Sequence, residues 1–428
     1  KLLDGKYYGH PNPSRDECVF KDGSYQAAAT PLNYEPPMAI MGAHTSSNGI
    51  IEYKSDKFCG KLKGNLLITN YSLGDNIVRV VLNPAGDVVT AQDSLVGSFN
   101  DPLTLSENST GDLFVAEFGN GKITSLRGVS TGCWEALSTS PEAILDAGGT
   151  SHNGDLYTIG GKLPSGPINR VYKYTTTTDT WTQLADKPGA AVENPAVTTV
   201  NNSIYVFGGS TLPFSGAVSN SYKYDIDTGH WSTIASMPTA RGGIRAEVIN
   251  GLIYIAGGMD STGASISTVE VYNPVTNTWS TVTPMNEVRD NPGTAVINDK
   301  LYVMGGRERT SGGVTINGTK SSAEMYDPST NSWSYIASLP TGRRTMVTST
   351  IDEKVQVIGG EYNDSDPDHI FNENEEYDPV FNVWTPLPNT PYPRHGAAFS
   401  TINNALYING GGDKGGSAFT DATTKYSR

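Results

Sequence analysis

Four arginines recur at one place in this 428-residue chain: Arg241, Arg289, Arg343 and Arg394 each stand ten residues after a tryptophan. Guanidinium groups make planar, paired hydrogen bonds to carboxylates and can also meet sugar hydroxyls, so the set suits recognition of an acidic or hydroxylated partner. Arg307 and Arg309, just after a glycine pair, add two cations to the same candidate site. The corresponding positions after Trp134 and Trp181 read as Ile144 and Ala191, which leaves the set incomplete. An arginine repeated in this way has a second reading, as a tie between neighbouring repeat units.

Other groupings with chemical potential are fewer. The run Asn363-Asp364-Ser365-Asp366-Pro367-Asp368 spaces carboxylates at alternate residues, as oxygen-ligated calcium loops do, but it lacks the glycine and distal glutamate of an EF-hand. Asp364, Asp366 and Asp368 are therefore a calcium candidate set against a plain solvated acidic loop. The six histidines, His10, His44, His152, His230, His369 and His395, show no metal spacing, and His395 beside Arg394 reads as structural. No nucleophile elbow, phosphate loop or dinucleotide fingerprint occurs in a suitable context. Neither a catalytic residue nor a cofactor is called for.

The elements that position the arginines follow from a repeat. All six tryptophans, Trp134, Trp181, Trp231, Trp279, Trp333 and Trp384, fall at spacings of 47, 50, 48, 54 and 51 residues. Such a period marks units that cannot bury an apolar face alone and must stack on neighbours. Six alternating runs end in glycine pairs: LYTIGG (156–161), IYVFGG (204–209), IYIAGG (253–258), LYVMGG (301–306), VQVIGG (355–360) and LYINGG (406–411). Five are followed by a tyrosine with a tryptophan seven residues on, at Tyr174, Tyr224, Tyr272, Tyr326 and Tyr377, with turn formers between. Each unit thus supplies four strands, a to d, and in the third unit these are expected near 242–249, 251–258, 266–273 and 277–283. A four-stranded antiparallel sheet repeated radially is a propeller blade.

Strand polarity then places each arginine near the central opening, on the face formed by the d–a and b–c loops. From the second glycine to the tyrosine the units count 13, 15, 14, 20, 17 and 15 residues. The fourth and fifth loops, Arg307–Ser322 and Glu361–Glu375, should project furthest from that face.

The ends of the repeat complement each other. The sixth glycine pair is followed by Tyr426 without a tryptophan strand, whereas Trp134 stands ahead of the first pair with Arg127 where a tyrosine is expected. The segment Thr131–Ser138 should therefore pair beside the strand holding Tyr426 and close a ring of six blades, removing its exposed edges.

Double glycine, then tyrosine and tryptophan across a short turn, then proline and arginine: over residues 129–428 this pattern resembles the Kelch repeat. The resemblance implies a six-bladed β-propeller whose motif residues build the blades, while members of the family bind proteins or carry chemistry in loops. Copper radical oxidases such as galactose oxidase, which have a Kelch propeller, need a cysteine cross-linked to a tyrosine and two histidines near the axis. Cys133 adjoins Trp134 on an outer strand, pointing away from such a site.

Residues 1–128 lack the period and contain no tryptophan. Stretches such as GHPNPSRDECVF (9–20), GAHTSSNGIIEY (42–53), FCGKLKGNLLITNYS (58–72), DNIVRVVLNPAGDVV (75–89) and FNDPLTLSENSTGDLFVAEFGNGKITSLR (99–127) include paired strands with turns at 83–86 and 120–121. Together they resemble the last blades of soluble glucose and sorbosone dehydrogenases. That resemblance implies an N-terminal partial β-propeller of the quinoprotein dehydrogenase type, in an all-β chain overall. It also implies a catalytic histidine in an earlier blade and arginines near the final blades to hold the acidic quinone. Here the final-blade segment reads Phe99, Asn100, Asp101 and Pro102, and a carboxylate there opposes such a cofactor. The start at Lys1 suits a processed product, with an upstream or neighbouring chain completing the first propeller.

Composition narrows the function class. A formal charge of −14 argues against a nucleic-acid partner. No apolar run reaches the roughly 20 residues of a spanning helix. Of three cysteines, Cys18 with Cys59 is the expected disulfide in an oxidising compartment, leaving Cys133 free or bonded elsewhere. Sequons at Asn70, Asn108, Asn201, Asn317 and Asn363, with few charges and many hydroxyls, suit a secreted or cell-surface glycoprotein. The leading expectation is a non-enzymatic extracellular scaffold or binding module for a protein or glycan. The competing one is a sugar or aldose oxidoreductase whose quinone-binding blades lie upstream.

Overall fold

The computed structural model describes residues 45–55, 62–72, 75–85, 88–109, 111–126, 132–213, 215–312, 315–362 and 370–427, with two-residue strands Pro11–Asn12 and Glu17–Cys18. Among them there is no helix. The chain divides into two compact units, Lys1–Gly132 and Cys133–Arg428.

In the second unit six four-stranded antiparallel sheets follow one another. Blade 1 comprises Gly148–His152, Asp155–Ile159, Val171–Thr175 and Thr180–Gln183 as strands a to d. Blade 2 comprises Ala196–Val200, Ser203–Phe207, Ser221–Asp225 and His230–Ile234. Blade 3 uses Ala246–Ile249, Leu252–Ala256, Val269–Asn273 and Thr278–Val282, and blade 4 uses Gly293–Ile297, Lys300–Met304, Ala323–Asp327 and Ser332–Ile336. Blade 5 is built from Val347–Ile351, Lys354–Ile358, Asn374–Asp378 and Val383–Leu387. Blade 6 takes strands a to c from Ala398–Ile402, Ala405–Asn409 and Thr423–Ser427, and its strand d from the start of the unit, Cys133–Leu137. Trp134 faces Tyr426 in that last pairing, and their rings lie 4.9 Å apart.

The local sequence explains these sheets. Strand b is buried on both faces, as in the fully buried run of Ser203–Phe207, which accounts for its continuous apolar character. Tight a–b turns such as Asn250-Gly251 hold both central residues at positive φ, 50° and 78°, the geometry that matches strand twist in a two-residue hairpin. The glycine pair is a steric necessity. At Gly257 a Cβ would stand 2.6 Å from the Arg289 carbonyl oxygen, and at Gly258 2.3 Å from an Ile244 methyl, with both residues left-handed.

Neighbouring blades are sewn together at three radii. Outermost, each indole of Trp181, Trp231, Trp279, Trp333 and Trp384 donates to a carbonyl of the preceding blade, for example Trp279 Nε1 to Ala235 O at 2.8 Å. At mid-radius, apolar clusters span adjacent blades, as where Phe207 of blade 2 packs on Tyr272 and Trp279 of blade 3. Innermost is a closed circle of backbone hydrogen bonds: Asn194 donates to Asp146, Gly243 to Asn194, Asn291 to Gly243, Thr345 to Asn291, Gly396 to Thr345 and Asp146 to Gly396, at 2.7–3.2 Å. All six residues have φ between 50° and 65°, so the ring of blades is locked by one repeated left-handed residue.

In the first unit Thr45–Glu52, Leu66–Ser72, Asn76–Leu82 and Val89–Val96 form a four-stranded antiparallel sheet, and Pro102–Glu107, Leu113–Glu117 and Lys122–Leu126 a three-stranded one. Tyr53, Leu67, Ile77, Leu105, Leu113 and Val115 join both sheets in one core.

Candidate binding face of the ring

Three of the four repeated arginines are structural ties. Arg241, Arg289 and Arg343 are wholly buried, and each Nη1 donates to the first glycine of the next pair and to a carbonyl at the start of strand c. Each Nη2 meets a glutamate on strand c: Arg241 with Glu270 at 2.6 Å, Arg289 with Glu324 at 2.8 Å, and Arg343 with Glu375. Their own carbonyls accept from the second glycine of the preceding blade, as Arg241 O does from Gly209. They do not face a ligand, because each guanidinium is wholly buried and both of its terminal nitrogens are engaged by the fold.

A sequence signal for this was present. Glutamate stands two residues before the tyrosine in those same blades, as Glu270, Glu324 and Glu375, whereas blades 1 and 2 have Tyr172 and Tyr222 there. In these two blades the arginine position is apolar, Ile144 and Val192, since Gly411 and Gly161 donate to their carbonyls. Val192 replaces the expected Ala191: the d–a loop of blade 2 is one residue longer than the tryptophan spacing implied. Arg394 has Thr424 in place of the glutamate, and among the described residues its Nη1 donates to the neighbouring Pro393 carbonyl, at 2.9 Å.

Arg307 and Arg309 are also buried, yet they do line a pocket. This mouth on the d–a and b–c face has a volume of about 130 Å³ and is built from two repeat positions, the residue after the arginine position and the residue after the glycine pair. Backbone bridges join these six times: Leu145 with Lys162, Glu193 with Ser210, Gly242 with Met259, Asp290 with Arg307, Arg344 with Glu361, and His395 with Gly412. Charges at these otherwise repeated positions make an interlocked cluster. Lys162 reaches Asp146 at 3.1 Å and Glu193 at 2.8 Å, Arg307 reaches Asp290 at 2.9 Å, and Ser265 Oγ donates to Asp290 at 2.7 Å. Glu361 lies 2.9 Å from Arg344 Nη1 and 3.2 Å from His395 Nδ1, and it accepts the Gly416 amide at 3.2 Å.

The electrostatics follow the packing. Burial works against the Lys162 ammonium, but Asp146 and Glu193 outweigh it and raise its pKa. Burial likewise opposes the Glu361 carboxylate, yet the bonds from His395 and the charge of Arg344 hold its pKa down at about 2. Arg344 is itself lowered to about 10 by burial and by Arg307. The mouth is thus a charged, hydrogen-bonding surface on which Lys162, Arg344 and Glu361 stay ionised at neutral pH.

Several sequence expectations meet the structure elsewhere. Cys133 is disulfide-bonded. In a chain of three cysteines that leaves no Cys18–Cys59 pair, which corrects the expected pairing. Cys59 and the Cys18 side chain lie outside the described residues, as do Asn363, Asp364, Asp366, Asp368 and the Asn317 side chain. Asn70 is 1% exposed, with its amide on Asn76, so that sequon offers no acceptor in the folded protein, whereas Asn108 and Asn201 are exposed. Among the described residues no group of three or more His, Cys, Asp or Glu side chains could hold a metal ion. No helix among them is long and apolar enough to cross a membrane.

The family model for the KLHDC2/KLHL20/DRC7 Kelch-repeats domain matches residues 194–411, and the Kelch motif matches 145–188. The chain belongs to the Kelch-repeat family. Its relatives include Kelch-like protein terF of Aspergillus terreus, 29% identical over 62% of this chain and 60% of that protein. Kelch-like protein 24 of Rattus norvegicus is 35% identical over 65% of this chain and 43% of that protein. The Kelch region thus spans 60% or less of these curated relatives. The solved structure of YjhT superposes with a TM-score of 0.57 at 18% identity, covering 68% of this chain and 99% of that one, a likeness of fold.

Proposed function

We propose that the Kelch ring is a non-enzymatic binding module that docks a protein or glycan on the face carrying its d–a and b–c loops. The observation that carries this reading is the mouth itself: Lys162, Arg307 and Glu361 at one repeat position, and Glu193 and Arg344 at the other, replace each other's signs on the face with the longest loops. A scaffold needs only uniform residues there, and charge variation between blades makes each sector a distinct contact. Hydroxyl-radical footprinting of the full chain with a partner selected from peptide and glycan arrays tests it. Protection should map to 307–312, 319–322 and 361–362. Protection confined to the opposite c–d hairpins, at Val275 and Phe381, would remove the proposal.

We infer that the protein works outside the cytosol, in a secreted or cell-surface setting. Support comes from the bonded Cys133, since disulfides persist where thiols are not kept reduced, and from the exposed sequons at Asn108 and Asn201. Glycopeptide mass spectrometry of native protein should find modified Asn201; a free Cys133 thiol and bare sequons would overturn it. The first unit is read as blades of a partial quinoprotein-type propeller completed by an upstream or neighbouring chain. Two successive antiparallel sheets sharing one core support that reading. A native protein with the mass of this chain alone, and nothing associated, would exclude it.

A further inference from the structure

The six innermost strands surround a bore of about 250 Å³ that is separate from the mouth. Between the two, the circle of Asp146, Asn194, Gly243, Asn291, Thr345 and Gly396 narrows the passage to a void of about 10 Å³. That is about one water at most. The bore is walled by hydroxyls, among them Thr150, Thr198, Thr348, Ser400 and Thr401, and by the Phe399 ring.

One cation enters it. Arg245 lines both the bore and the constriction. Two residues beyond the locking residue, the other five blades carry Gly148, Ala196, Gly293, Val347 and Ala398. Only blade 3 has a charged residue at this position, where the others are small or aliphatic. Its guanidinium carbon stands 4.5 Å from the centre of the Phe399 ring, which belongs to blade 6, directly across a ring of six. Arg245 therefore spans the bore. A guanidinium held over an aromatic ring is attracted to the ring without using its N–H donors. Among the described residues Arg245 has no hydrogen bond or ion pair, whereas Arg241, Arg289, Arg307 and Arg343 all have carboxylate partners. The nearest acid on its own strand, Glu247, is engaged by Thr294 Oγ1 at 2.7 Å.

We propose that the bore is a small-molecule site in which Arg245 receives a carboxylate and the surrounding threonines and serines bond hydroxyls of the same ligand. A hydroxylated carboxylate satisfies both features at once: the planar donors take the carboxylate side-on, and the wall takes the hydroxyls. Burial lowers the Arg245 pKa to about 10, against the pull of Asp146 and Glu247, which still leaves the group charged at neutral pH. The site is distinct from the docking face, so either can fail without the other.

Titration calorimetry on the full chain tests the proposal with D-gluconate, acetate, glucose and sulfate as probes. Gluconate should bind at least tenfold more tightly than acetate, and glucose should not bind measurably. Arg245→Gln should weaken gluconate at least tenfold at an unchanged melting temperature, while Arg245→Lys should recover part of the affinity. Glucose binding as well as gluconate, or sulfate better than either, would overturn the assignment. So would a folded Arg245→Gln variant with wild-type affinity, or a wild-type chain that binds none of the four. Should Arg245→Gln fail to fold, Ser400→Ala with Thr198→Val serves instead, and must weaken gluconate while leaving acetate unchanged.

Discussion

Blades 3, 4 and 5 and blades 1 and 2 solve one structural problem with opposite chemistry. In the first group a buried arginine and glutamate bridge the d–a turn to strand c. In the second an aliphatic residue, Ile144 or Val192, lies at the arginine position and a tyrosine, Tyr172 or Tyr222, at the glutamate position. Both leave the backbone bond from the second glycine to that turn intact. The fold therefore requires a filled site with satisfied polar atoms rather than an ion pair as such. Blade 6 stands between: Arg394 has lost its acid to Thr424 and keeps its charge at 6% exposure.

The strongest way to break this comparison is to remove one half of a pair. Both Arg289 and Glu324 have fully buried side chains, and Glu324 also accepts the Asn286 amide at 2.8 Å. Glu324→Ala should destabilise by about 3–5 kcal/mol, because it strands a desolvated guanidinium. Importing the other solution, Arg289→Val with Glu324→Tyr, should recover more than half of that loss. Urea unfolding of both variants decides it. A single substitution costing under about 1 kcal/mol would show that these ties are ornamental.

The mouth offers a comparison by pH. Glu361 has its folded pKa held near 2, well below the ordinary value of 4.5. A depressed carboxylate contributes stability that is fully present above the ordinary value and lost as the pH falls toward the folded one. Stability should thus decline between about pH 5 and pH 2, by on the order of 3 kcal/mol from this group. Glu193, whose pKa burial and Asp146 push upward, carries the opposite sign and should soften the decline. Glu361→Gln should flatten the slope of midpoint against pH in that window. An unchanged slope would mean that the Arg344 and His395 contacts do not favour the charged form.

How much of this was legible depends on what each residue must satisfy. Tryptophan, tyrosine and double glycine were readable because each has one tolerable environment: an indole needing an acceptor on the next blade, a ring facing it, and a turn with no room for Cβ. The repeated arginines were legible in two ways, as ligand contacts or as ties between blades, because a guanidinium suits a ligand and a buried carboxylate equally well, and spacing alone does not say which is present. The missing clue was a second position, the glutamate on strand c, that co-occurs with the arginine blade by blade. The residues of the mouth were mostly overlooked, since Lys162, Asp290, Arg344 and Glu361 differ between repeats and so carry no periodic signal. Arg245 was hidden for the same reason, being a lone exception among small residues.

The finest comparison concerns the residue two before each tryptophan. Asn277, Asn331 and Asn382 are left-handed there, and each Oδ1 accepts both the tyrosine hydroxyl of its own blade and an amide of the preceding one. Blade 1 does the same with Asp179, which accepts from Tyr174 and from Ser138 of blade 6. Blade 2 has Gly229 instead, at φ 71°, keeping the backbone but lacking the acceptor. Asn277→Gly should cost roughly 1–2 kcal/mol, from two lost hydrogen bonds. The reverse change, Gly229→Asn, should stabilise by about 0.5–1 kcal/mol, because asparagine tolerates that φ and restricts the unfolded chain. There is room for it: a Cβ at Gly229 meets nothing closer than the Tyr224 hydroxyl at 3.5 Å. Thermal unfolding that shows Gly229→Asn neutral while Asn277→Gly is costly would place the benefit in the local geometry of blade 3, and not in the repeat position that the two blades share.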